Sequence, residues 1–324
     1  MISQFLETIF SRRIYFLLVF GAVTLVLAGS SFWVISFVRN ETVEQSTAME
    51  VEDTGELSLI YVDYYSNIPE YVSAEAYLTM GEYIRENEET QNVEVLVGLS
   101  PSEIVGYMLN HFVAGMQVNC DYCHNINNYA ADEWDDEEAM ENKRIAREHL
   151  LMTQDLNRNW LTELPALTDE KQPSGAQIAC ATCHFGQAQP VTWPTGEIAL
   201  PDDFRLPLDE PLSATEQDIL NVNAREDISL DAVQYNQQVM YYMNASMNVG
   251  CTHCHNSRYF PSWEVPAKYY AQHMLQMTQY IHQEWGDSLG EQEPSCLMCH
   301  QGAAIPPGAA QSVDVMPAAL VPEQ

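Results

Sequence analysis

Basic side chains are scarce in this chain. Its 324 residues carry 13 Lys and Arg against 46 Asp and Glu, a formal net charge of −33. A surface of that sign repels a phosphate backbone, so nucleic acid is set aside as a partner. The same charge steers encounters with basic soluble proteins, and it also keeps the chain in solution. Spare cysteine is absent too. All eight cysteines fall in four pentapeptides, Cys120-Asp-Tyr-Cys123-His124, Cys180-Ala-Thr-Cys183-His184, Cys251-Thr-His-Cys254-His255 and Cys296-Leu-Met-Cys299-His300. None is left for a lone nucleophile. Finally, residues 14–37 lack any charge over 24 positions.

Each Cys-x-x-Cys-His is an attachment signature for a c-type haem. Two thiols add across the vinyl groups, and the histidine that follows becomes the proximal iron ligand. Competing uses of these cysteines fit less well. Partners inside one turn rarely meet disulfide geometry. A zinc site has no need of a histidine after every second cysteine, and a thioredoxin-like site needs only one copy. Four covalently bound haem c groups are therefore expected, with Cys120, Cys123, Cys180, Cys183, Cys251, Cys254, Cys296 and Cys299 attaching them and His124, His184, His255 and His300 beneath the irons. A haem core wrapped by helices and long loops follows, mainly α with little sheet.

The charge-free stretch is long enough to cross a bilayer as one helix. Arg12 and Arg13 precede it and acidic residues follow Arg39, which places the N-terminus in the cytoplasm and the rest outside. A cleaved signal peptide would carry an apolar run of roughly 7–15 residues. Here the run continues through Phe32-Trp33-Val34-Ile35, and no cysteine follows it for lipid attachment. The expectation is a retained single-pass anchor in the inner membrane with the haem domain on the periplasmic side.

The chain repeats. Residues 146–160 and 271–285 align at a constant offset of 125, with Leu150/Leu275, Met152/Met277, Thr153/Thr278, Gln154/Gln279 and Trp160/Trp285 coinciding. Two pseudo-symmetric two-haem halves are the simplest account. The expected organisation is an anchor at 1–40, an acidic stalk and N-terminal segment at 41–98, a first half at 99–200, a connector at 201–228, a second half at 229–308 and a tail at 309–324. Ser100 or Ser102, next to Pro101, is expected to cap the first haem helix and Ser229 its counterpart. The acidic run at 132–138 reads as a solvated loop.

A six-coordinate haem needs a distal ligand. Five histidines remain, His111, His149, His253, His273 and His282, and 14 methionines offer the other route. Met108 lies 12 residues before Cys120, and Met240 lies 11 before Cys251, each on an apolar helix. A lone helical methionine ordinarily serves core packing, but recurrence before both sites points to ligation of the first and third haems, with Met116, Met243 and Met247 as nearest competitors. The repeat sets His149 opposite Met274. His149 is the candidate at the second haem, with Met152 behind it. Met274 is the candidate at the fourth, with His273 and His282 as alternatives.

The sequence around the motifs resembles the tetrahaem cytochrome subunit of photosynthetic reaction centres over roughly residues 60–310. The likeness rests on Cys251-Thr-His-Cys254-His255-Asn-Ser-Arg-Tyr-Phe-Pro-Ser-Trp263, on Cys183-His184-Phe-Gly186 with Pro190 and Trp193 downstream, and on Cys299-His300-Gln-Gly302. The resemblance implies an electron carrier, not a bond-making enzyme. Such a carrier re-reduces the photo-oxidised bacteriochlorophyll special pair of the core subunits, drawing electrons from a soluble blue-copper protein or cytochrome c. It places distal ligands at Met108 and Met240. It departs from the family at His149, where a Met is usual, and at Glu163, where a His often supplies the fourth distal ligand. A retained N-terminal helix is more like the filamentous green phototrophs than the lipid-anchored purple bacterial members. The alternative is a membrane-anchored quinol-oxidising multihaem cytochrome feeding a periplasmic reductase. Against it stand the Met-bearing helices and the 60- and 45-residue spacings between paired sites.

If all eight cysteines carry thioether bonds, thiol titration of the denatured holoprotein finds no reactive thiol. A titre of two or more per chain would mean that at least one motif is unused.

Overall fold

The computed structural model describes residue 20 and residues 71–169, 173–194, 200–201, 203–209 and 230–310. The expected anchor (Phe20 apart), the stalk up to residue 70, Ser229, most of the connector and nearly all of the tail lie outside them. Among the described residues no helix is long and apolar enough to cross a membrane. Contacts divide the chain into residues 1–55 and 56–324, and all four motifs lie in the second unit.

The described residues are mainly helical, with a single isolated bridge between Gln177 and Ala310 in place of any strand. Helix α1 is Ala74–Glu86, capped by the Ser73 hydroxyl on Ala76 N. Helix α2 starts at Pro101–Tyr107, opens into a π-helical segment at Met108–Val113 and closes at Ala114–Met116. Ser100, not Ser102, caps it. Ser100 accepts from Glu103 N while the Glu103 carboxylate takes Ser100 N–H, a reciprocal box that satisfies two orphan donors.

Helix α3 is Glu137–Asn159. Residues 132–136 form a largely exposed loop, as expected, and the helix begins inside the acidic run at Glu137. Asp136 caps Ala139 N, and Glu137 and Glu138 fill the first turn, where negative charge complements the helix dipole. Asp132 forms ion pairs with Lys143 and Arg147, each at 3.1 Å. Helix α4 is Cys180–His184, α5 is Leu230–Met247, α6 is Pro266–Trp285 and α7 is Cys296–His300. Proline at the first turn of α6 costs no hydrogen bond, because that N–H has no helical acceptor.

The order of elements in α2–α4 recurs in α5–α7: a helix, a 3-10 turn at one motif, a long helix and a short helix at the next motif. The long helices α3 and α6 meet in a buried cluster of Met152, Leu156, Ile178, Met277 and Ile281, flanked by Trp160, Met274 and Trp285. Asp155 on α3 ties them further, accepting from Tyr280 Oη at 2.7 Å and Trp285 Nε1 at 3.1 Å on α6. Burying such side chains contributes about 1.5–3 kcal/mol apiece. The short helices α4 and α7 pack on each other, α4 also on the end of α2, and α7 on α5. Fully buried Asn157 fixes the strand-like approach to α4, donating to Ile178 O at 2.9 Å and accepting from Ile178 N at 2.7 Å.

Close backbone approach is required at Gly308. A Cβ built there would lie 1.9 Å from Ala181 O inside α4, and Gly308 O accepts from Thr182 Oγ1 at 3.2 Å. Backbone cannot swing aside as a side chain does. Gly308→Ala is therefore expected to cost about 1–3 kcal/mol, seen as a lower guanidinium midpoint. Gly250→Ala, which meets open space, should leave it unchanged. Equal midpoints for the two variants would contradict this packing.

Candidate functional site

The four motifs take two local forms. The first and third are 3-10 turns, Cys120–Tyr122 and Cys251–His253, each entered from a helix that ends in a left-handed residue, Gln117 (φ 53°) and Asn248 (φ 51°). The second and fourth are the short helices α4 and α7, each ended by a left-handed residue, Phe185 (φ 42°) and Gln301 (φ 46°), and then a glycine, Gly186 or Gly302. A left-handed non-glycine residue costs roughly 1–2 kcal/mol. The cost recurs at matching places because the chain must turn sharply to release the histidine from the motif.

All four histidines share one contact. His124 Nδ1 lies 3.2 Å from Tyr129 O, and His255 Nδ1 lies 2.9 Å from Phe260 O. His184 Nδ1 lies 3.1 Å from both Gln187 O and Ala188 O, and His300 Nδ1 lies 2.9 Å from Ala303 O. A carbonyl only accepts, so Nδ1 carries the proton and donates it. Nε2 is then the nitrogen with a free lone pair, as an iron ligand requires. Burial pushes the His124 and His184 pKa down to about 4, and that of His300 down as well, so the rings stay neutral.

The cysteines fit thioether chemistry better than the rival uses. All eight are free of disulfides. Burial raises the pKa of Cys123, Cys180 and Cys296 to about 12, so these groups rest as thiols. Among the described residues, no group of three or more His, Cys, Asp or Glu converges as a bare metal site.

A cavity of about 1020 Å³ runs between the elements. That is at or above the upper end of ordinary small-molecule pockets, roughly 300–1,000 Å³. Its wall carries Cys180, Cys183, His184, Cys296, Cys299 and His300, and its lining is mostly apolar, as a macrocycle needs. The two even-numbered motifs meet there, with Cys183 Sγ and Cys299 Sγ 3.1 Å apart. Cys123 and Cys254 also reach the wall. Cys120, Cys251, His124 and His255 do not. The residues of the two even-numbered motifs thus fit haem c, which their paired cysteines would hold and their histidines would ligate.

The distal candidates divide. His149 and Met274 both line the cavity. The His149 ring centroid lies 5.9 Å from that of His184, at an interplanar angle of 39°. His149 Nε2 also contacts Ser288 O at 3.0 Å. The competitors for the fourth site are engaged elsewhere: His273 Nε2 contacts Trp160 O at 2.9 Å, and His282 Nε2 lies 3.2 Å from Asp209. Glu163 is exposed and stays off the wall. Met152 lines the cavity but belongs to the α3–α6 cluster.

Met108 and Met240 lie outside the cavity wall, half-buried on two separate apolar clusters, whereas Met116, Met243 and Met247 line it. The structure does explain the one-residue difference in their spacing. Downstream of the π-helical segment, Gln117 and Asn248 occupy the same left-handed cap, 131 positions apart, as do Cys120 and Cys251. A π turn holds one residue more than an α turn. Upstream of it the offset becomes 132, which aligns Met108 with Met240. Sequence reading missed this segment, since Met-Leu-Asn-His-Phe-Val carries no signal for it. It also missed Lys143 and Lys268, which contact the loops that hold His124 and His255.

Comparison with known proteins agrees with this geometry. The chain is 28% identical over 307 residues to cytochrome c-554 of Chloroflexus aurantiacus, covering 69% of this chain and 71% of that one. It is 25% identical over 338 residues to the photosynthetic reaction center cytochrome c subunit of Roseobacter denitrificans, covering 89% and 86%. A third relative, the corresponding subunit of Rubrivivax gelatinosus, is 26% identical over 272 residues, 68% of each chain. Residues 36–196 and 264–319, more than half of the sequence, match the family described as photosynthetic reaction centre cytochrome C subunit, and the chain belongs to that family.

Proposed function

We propose that this chain is an electron carrier with four covalently bound haem c groups that re-reduces the photo-oxidised bacteriochlorophyll pair of a reaction centre. The observation that carries the reading is the fourfold contact between a motif histidine Nδ1 and a backbone carbonyl. Bound haem c supplies a one-electron Fe(III)/Fe(II) couple. The chain's own part is to hold each imidazole oriented through its Nδ1 contact and to surround the even pair with a mostly apolar wall. Electron transfer with little reorganisation asks for that kind of rigid, apolar setting.

His124, His184, His255 and His300 are the proximal ligands in this reading, and Met108, His149, Met240 and Met274 the distal ones. Support for His149 is its ring-to-ring distance from His184, with its imidazole turned from Ser288 O to the iron in the holoprotein. Met274 is favoured by its place on the cavity wall while His273 and His282 are engaged elsewhere. The π-helical segment supports Met108 and Met240 as equivalents. Two pseudo-symmetric halves meet at Cys183 and Cys299, so electrons cross between halves through the even sites, with the odd sites toward the ends.

An N-terminal helix over residues 14–37 holds the chain to the inner membrane, with the haem domain outside. The −33 charge suits a soluble donor with a basic face, a blue-copper protein or a cytochrome c.

Flash excitation of membranes should be followed by bleaching of the haem α-band as the oxidised bacteriochlorophyll recovers. Recovery with no haem oxidation would rule out the donor role. His149→Met should raise a single haem midpoint, because Met/His ligation lies above His/His. Four unmoved midpoints would exclude His149 as a ligand.

A further inference from the structure

The two odd-numbered sites share a feature that the even-numbered ones lack. Lys143 on α3 and Lys268 on α6 stand 125 positions apart, the offset that relates Met152 to Met277. Lys143 is buried, and its ammonium donates to Tyr129 O at 3.2 Å and Ala131 O at 2.5 Å. The Lys268 ammonium donates to Phe260 O at 3.2 Å, Pro261 O at 2.9 Å and Ser262 O at 3.1 Å. Tyr129 O and Phe260 O are the carbonyls that accept from His124 and His255. One oxygen therefore serves an imidazole and an ammonium at each site. The carbonyls at the other two sites, of Gln187, Ala188 and Ala303, receive no lysine among the described residues. Each lysine also faces a tryptophan, Lys143 at 6.0 Å from the Trp134 centroid and Lys268 at 4.4 Å from that of Trp263.

We propose that Lys143 and Lys268 are positioning residues that raise the reduction potentials of the haems at the first and third sites, acting through the shared carbonyl. The inference rests on His124 and His255 being the proximal ligands. Two effects act in the same direction. A fixed positive charge beside the haem disfavours the oxidised form, which carries one more positive charge than the reduced form. An oxygen already bound to an ammonium also accepts less strongly from Nδ1–H. The imidazole then donates less electron density to the iron, and the ferric state loses stabilisation.

The two sites differ in how far that charge is compensated. At the first, Lys143 pairs with Asp132 at 3.1 Å, and neighbouring Arg147 pairs with Asp132 and Glu94. Two cations face two carboxylates. At the third, no carboxylate lies within ion-pair distance of Lys268 among the described residues, and a tryptophan face offers only a weaker attraction. The effect of Lys268 should therefore exceed that of Lys143.

The test is a redox titration of the intact chain carrying all its haems, with haem content counted from the alkaline pyridine spectrum. Lys268→Met should lower one midpoint by a tenfold change in its reduction equilibrium, about 59 mV for one electron. Lys143→Met should lower a different midpoint by less. Lys268→Arg, which keeps the charge, should restore most of the loss. Asp132→Asn keeps both lysines, removes the carboxylate paired with Lys143 and should raise the first-site midpoint alone, so it tests the proposal if the buried lysine variants fail to fold. Fully loaded Lys268→Met protein with wild-type midpoints would overturn the proposal, and so would an Asp132→Asn variant with no upward shift. A wild-type count below four haems would instead overturn the four-haem reading.

Discussion

A histidine that ligates iron must present Nε2 with its lone pair free and its ring held still, and the contact that secures both here is the one from Nδ1–H to a backbone carbonyl. It fixes the tautomer, it fixes the ring plane, and it recurs at all four motifs. Much of the local structure follows from making it. The left-handed residues Gln117, Phe185, Asn248 and Gln301 bracket the motifs. At the odd sites the loop takes five residues to bring its carbonyl back to the ring, as at Tyr129 and Phe260. At the even sites three suffice, as at Gln187 and Ala303. The two geometries sort the sites into the pairs that the internal repeat implies.

The even pair forms the centre of the described fold. Helices α4 and α7 touch, their second cysteines approach to 3.1 Å, and the long helices α3 and α6 close over them through Met152 and Met277. Small residues make the approach feasible. Gly308 and Gly115 allow backbone to lie against α4 where a Cβ would crowd it. The odd sites reach the cavity wall through Tyr122, Cys123, His253 and Cys254, while their first cysteines and motif histidines stay off it. Tyr129 is held by α1, donating to Ala76 O at 3.0 Å, while Tyr259, Phe260 and Trp263 of the equivalent loop are exposed.

The four motifs stand out in the sequence because thioether attachment demands adjacent residues, so local spacing carries the signal. The Ser100 cap was legible for the same reason: Ser-Pro-Ser-Glu holds both halves of a reciprocal box within four positions. The exposed loop at 132–136 was legible, but its cap at Asp136 and its pairing at Asp132 were not, because carboxylates look alike in sequence whether they cap a helix, pair with Lys143 or face water. The shared carbonyls of Tyr129 and Phe260 left no trace, since the acceptors are backbone. Distal ligands leave a weaker mark in a sequence. A methionine at helical spacing serves a core as well as an iron, and the π-helical segment that equates Met108 with Met240 has no residue signature.

Four haems with one His/His and three His/Met ligand sets would be distinguished by paramagnetic resonance of the ferric chain during a redox titration. Four low-spin ferric signals are expected, one with the anisotropy of paired imidazoles and titrating lowest, and three of the His/Met kind. Two or more His/His signals, or a high-spin haem with an open position, would contradict these ligand sets.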